Sequence, residues 1–164
     1  MGVALLTPIQ SPSASAASRG LTNNVVSTAS GKIEVFATAT QTFTNTGAAL
    51  STAITNGTAK TFYVNNSGSL SLTRFTMTIT LPNNSNVASF KRCAVNVAFT
   101  AANTCASGTP TTLTNPVSGS ATVYVLSLPA TGFYSFQITQ NKTGTLGVST
   151  SASLTNVVTG VYNS

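Results

Sequence analysis

The sequence predicts an all-β chain, an antiparallel two-sheet sandwich of about seven strands with an extended N-terminal arm. Three observations carry this. Apolar residues recur with period two almost throughout, and no long stripe of period 3.6 appears. The chain is rich in Thr, Val, Ile, Phe and Tyr, whose branched and aromatic side chains suit a pleated, half-buried surface. Clusters of Asn, Gly, Ser and Pro punctuate the alternating runs at the spacing of turns.

In order, residues 32–44 alternate, with Ile33, Val35, Ala37, Ala39 and Phe43 on one face and Thr38, Thr40, Thr42 and Thr44 on the other. Turn signals follow at Asn45-Thr46-Gly47 and Asn56-Gly57. A second strand covers 59–65, carrying Phe62 and Val64, and Asn65-Asn66-Ser67-Gly68 turns the chain. The clearest strand is 72–81, where Phe75, Met77, Ile79 and Leu81 alternate with threonines until Pro82-Asn83-Asn84 ends it. Cys93, Val95, Val97 and Phe99 predict a fourth strand. Residues 121–128 are apolar on both faces, with Val123 and Val125 opposite Tyr124 and Leu126. Residues 133–139 and 145–157 complete the set, and most of the nine aromatics from Phe62 to Phe136 are expected to fill the core. The domain division is residues 1–31 as a leader-like or extended arm and 32–164 as the sandwich.

Composition excludes several chemistries. In 164 residues there is one acid, Glu34, and no Asp, His or Trp. A Ser-His-Asp or Cys-His system has no imidazole, and a glycosidase pair lacks its second carboxylate. Zinc and calcium sites have no ligand set, so no metal, no cofactor and no enzyme activity are expected. Glu34 and Lys32, two residues apart on one face, read as a surface ion pair. The net charge of +6 reflects missing acids, since the seven basic residues are scattered. That argues against specific nucleic-acid binding and for loose attraction to cell-wall or other anionic polymers.

The expected compartment is extracellular or cell-surface. Cys93 and Cys105 read as a disulfide closing a short loop. Apolar Gly2–Leu6 and the small-x-small run Ala14-Ser15-Ala16 look like the end of an export signal. No run approaches the roughly 18 apolar residues of a membrane span. Candidate glycan acceptors are Asn56, Asn65, Asn83 and Asn141, each opening an Asn-x-Ser/Thr sequon.

The run Tyr63-Val64-Asn65-Asn66-Ser67-Gly68, followed by Phe75-Thr76-Met77-Thr78-Ile79-Thr80-Leu81-Pro82, resembles the immunoglobulin-like repeat domains of prokaryotic secreted surface proteins. The tail fits too, at Ser127-Leu128-Pro129-Ala130 and Gly144-Thr145. The resemblance covers about residues 33–158 and implies an immunoglobulin-like sandwich, since its motifs are strand and turn chemistry.

An acid-poor, Thr/Ser/Asn-rich, secreted sandwich of one domain is expected to be a structural subunit of an extracellular filament, pilus-like fibre or surface assembly. The expected partner is the chain itself, as a homopolymer joined by strand addition. Residues 21–31 carry no charge, and Leu21, Val25 and Val26, with Ile33 and Val35 at the start of the first strand, are the candidate donor arm. The alternative is a free-standing adhesin or carbohydrate-binding module.

Overall fold

The computed structural model describes residues 24–28 and 31–152. Ten strands run in chain order: β1 (Asn24–Thr28), β2 (Gly31–Thr38), β3 (Leu50–Ile54), β4 (Lys60–Asn66), β5 (Leu72–Thr80), β6 (Val87–Arg92), β7 (Thr111–Thr112), β8 (Ala121–Leu128), β9 (Phe133–Gln140) and β10 (Gly144–Ala152). They form two antiparallel sheets, ordered β1-β2-β4-β9-β6-β7 and β3-β10-β5-β8. The fold is the β-sandwich the sequence predicts. Only β1–β2 and β6–β7 are neighbours in both chain and sheet; every other connection crosses from one sheet to the other.

Alternation builds the core. Ile33, Val35 and Ala37 of β2, Phe62 and Val64 of β4, and Tyr134, Phe136 and Ile138 of β9 face Phe75, Met77 and Ile79 of β5 and Leu146 and Val148 of β10. Without Trp, phenylalanines supply the largest core side chains, and three of them stack together. Phe136 lies between Phe62, at a centroid distance of 5.2 Å, and Phe90, at 5.8 Å, and Tyr124 of β8 meets the edge of Phe90 at 5.1 Å. Ring pairs of this kind contribute about 0.5–1.5 kcal/mol each beyond their burial.

Three sequence expectations are corrected. The first strand ends at Thr38 rather than 44, and Ala39 is exposed. Residues 39–49 then run down the outer face of the first sheet, where Phe43 packs edge-on to Phe133 with 44% of its surface still exposed. Its alternation is that of an extended but unpaired segment. Residues 93–99 are not a strand: Ala94 to Val97 form a turn, with Asn96 in the left-handed region at φ 60°. The strand in that part of the sheet is β6, just before it, whose only fully buried apolar residue is Phe90. Finally, Leu50–Ile54 is a strand although Ser51 and Thr52 dilute its pattern. The part of the last predicted strand beyond Ala152 lies outside the described residues, as do the leader-like features at 1–20.

The turn motif Asn65-Asn66-Ser67-Gly68 has a packing reason. Asn66 is fully buried and its amide donates to the carbonyls of Leu70 and Pro129, while its Oδ1 accepts from the Gly68 amide. Gly68 lies so close to β2 that a Cβ would collide with the Lys32 carbonyl oxygen. This turn pins the β4–β5 connection against the lower half of β2.

Candidate functional site

A chain with one carboxylate offers little side-chain chemistry, so its candidate sites are strand edges and the surfaces beside them. The outer strands are β1 and β7 in one sheet and β3 and β8 in the other. β7 has two residues, β3 five and β8 eight. Short edges are a usual guard against unwanted pairing. β8 lacks that guard and also lacks charge and proline.

At the opposite side of the sandwich, β1 is hydrogen-bonded to β2 in the register Asn24↔Val35 through Thr28↔Gly31. Val25 and Val26, two of the predicted arm residues, thus lie opposite Glu34 and Ile33; Leu21 lies outside the described residues. Ile33 and Val35 do not belong to a mobile arm. Both are fully buried in β2, and Val35 also pairs with Asn66 of β4, so they are part of the strand that receives β1. Above the β1–β2 ladder, Ala37, Thr38, Ala48, Ala49 and Leu50 line a shallow open groove between β2 and the start of β3.

Glu34 is more than half of a surface pair. Its side chain is 12% exposed and meets Lys32 Nζ at 2.6 Å, while Ser67 Oγ donates to Oε2 and Asn45 Nδ2 to Oε1 at 3.1 Å. Burial by itself pushes the carboxyl upward, but the bonds from Lys32, Ser67 and Asn45 outweigh it and hold the group below the usual carboxylate range. The single acid therefore ties strand β2 to the 39–49 segment and to the Ser67 turn. Asn45 gave no signal in sequence beyond its turn propensity.

The Cys93–Cys105 disulfide is formed, with Cα atoms 5.6 Å apart. Its loop lies on the outer face of β9, where Ser135 Oγ donates to the Val97 carbonyl and Gln137 Nε2 to Asn103 Oδ1. This is why β9 is buried on nearly every residue, polar ones included. Three predicted glycan acceptors, Asn56, Asn83 and Asn141, are exposed in turns. Asn65 is different. It is fully buried and its Nδ2 donates to Thr38 Oγ1, so a glycan on that nitrogen is incompatible with the fold.

Among the described residues no helix is long and apolar enough to cross a membrane. Comparison with protein-family models, curated proteins and solved structures finds no match to this chain.

Proposed function

We propose that the chain is a structural subunit of an extracellular filament, pilus-like fibre or surface assembly, with neighbouring subunits joined by β-strand addition. The observation that carries this reading is the place of β1. It joins its sheet through β2 alone, and only residues 29 and 30 separate the two strands. The same segment from a second copy would make the same backbone bonds to Gly31–Val35. A donor strand in that register brings its residue 21, a leucine, opposite Thr38 at the groove lined by Ala37, Ala48 and Leu50.

A kinship with immunoglobulin-like surface domains belongs to the same reading, supported by the two-sheet packing and the buried Asn66 turn. An extracellular setting is supported by the disulfide, which persists in oxidising compartments. Attraction to anionic wall polymers follows from the charge of +6.

The test compares the full chain with one lacking residues 1–31 by negative-stain microscopy, with circular dichroism to check folding. The expected outcome is fibres from the full chain and none from the folded truncation. Fibres of equal yield from the truncation rule out the donor arm, and monodisperse full-length particles rule out the filament. A second reading, as an adhesin or carbohydrate-binding module, is favoured by one feature: Phe43 is half-exposed beside Tyr63 and Phe133 on the outer face. On that reading, polysaccharide retention is lost in Phe43→Ala while particles stay monodisperse.

A further inference from the structure

We infer that β8 is a second, symmetric interface, at which two copies of the chain pair their β8 strands antiparallel and join two four-stranded sheets into one of eight. This rests on the β8 edge alone and not on the filament reading.

The first observation is that β8 is apolar on both faces although the sandwich has only one core. Tyr124 and Leu126 pack against the core and Leu128 is fully buried within it, yet Val123 and Val125 point outward and are 57% and 47% exposed. A strand with one solvated face should alternate apolar with polar. The second is that the strand has one hydrogen-bonded neighbour. β5 pairs with it from Leu72↔Leu128 to Thr80↔Ala121, and among the described residues no backbone–backbone bond meets its other side. Segment 113–120 approaches only through side chains, with Tyr124 Oη donating to the Thr114 carbonyl and Thr122 Oγ1 accepting from the Val117 amide.

The third observation chooses the occupant. Two chains of charge +6 repel over most orientations. The β8 edge is where they can meet without opposing cations. No charged residue lies on β8, and the outer rows beside it are Val123–Thr78–Ser149 and Val125–Thr76–Ser151. Arg74, the one cation of β5, sits near the Leu128 end, and antiparallel pairing sets it away from the partner's Arg74.

The register follows from side-chain direction. Facing residues must point to the same side, so paired numbers have an even sum. A two-fold axis at Tyr124 keeps 121–127 paired throughout and sets Val123 of each copy against the partner's Val125. Each outer row then continues across the axis, and both valines leave water. Moving the axis to Val125 pairs Val123 with Ser127 and leaves that valine half-covered.

The test uses full-length chains in which Val123→Cys and Val125→Cys are made separately. Facing residues in an antiparallel pair have Cα atoms about 4.5–5.5 Å apart, within disulfide range. Mixed equally and mildly oxidised, the two variants give a 123–125 linked dimer by peptide mapping, while each variant alone does not link. Links in either single-variant sample, or no links in the mixture, overturn the proposal. Independently, a chain with both Val123→Lys and Val125→Lys should sediment at one chain mass where the unchanged chain, diluted below fibre formation, sediments at two. Both substitutions are on exposed positions, and an unchanged circular dichroism spectrum confirms the variant is folded. Equal masses for the two chains also overturn the interface.

Discussion

Glu34 gives the molecule an unusually simple titration. With no Asp and no His, no side chain has its ordinary pKa between about pH 5 and 8. The Glu34 carboxyl is held low by its hydrogen bonds, so its contribution is fully present above the unfolded carboxylate value of about 4.3 and is lost as pH falls through the lower folded value. At the other end, burial lifts the Tyr124 phenol to about 12, which stabilises the neutral form. That contribution is complete below about pH 10 and disappears as pH rises towards 12. Urea midpoints measured against pH should therefore show a flat plateau through neutrality with a fall on each side. Glu34→Gln should abolish the acid fall while lowering the plateau. An acid fall unchanged in Glu34→Gln would show that the carboxylate does not tie the 39–49 segment down.

Among the elements, the disulfide loop makes the largest single covalent contribution. A closed loop of this size stabilises by about 3 kcal/mol in the chain-entropy model. Replacing Cys93 and Cys105 together by Ser should cost about that much in urea unfolding. It should also raise amide exchange in β9, because Ser135 and Gln137 lose the cover that Val97 and Asn103 provide. A loss well under 1 kcal/mol would mean the loop holds its place without the bond. The elements also show what the sequence discloses. Residues 60–66, 72–80, 121–128 and 133–140 are legible because strong apolar residues alternate there and Pro, Asn or Gly stops them. β3 and β6 are hidden because each buries only one large side chain fully, Ile54 and Phe90, against neighbours supplied by distant strands. Residues 39–44 alternate as well as any strand, but no neighbour is available to pair with them. The exposed face of β8 was visible only as two apolar faces on one strand; which of them is buried is decided by the packing of Tyr124 on Phe90.

Seen as a whole, the sandwich separates its surfaces. The antiparallel registers bring the β3–β4, β5–β6 and β9–β10 turns to one end, where the Gly57 amide bonds to the Gln140 carbonyl and the Asn86 amide to Asn141 Oδ1. That end carries Asn56, Asn83 and Asn141, while the strand edges run along the sides. Glycopeptide mapping of the folded protein secreted from a glycosylating host should find sugar at those three and none at Asn65. A modified Asn65 in natively folded material would contradict its burial and its bond to Thr38.

Among the described residues, the chain passes from one sheet to the other at seven of the nine connections between successive strands. The two layers are therefore sewn together rather than hinged. Cutting any one crossing, for instance within the exposed 39–49 segment, leaves six others holding the layers in register. The strands of the two layers alternate along the chain, so no single cut yields one fragment for each layer. A single nick would then divide the polypeptide without dividing the particle.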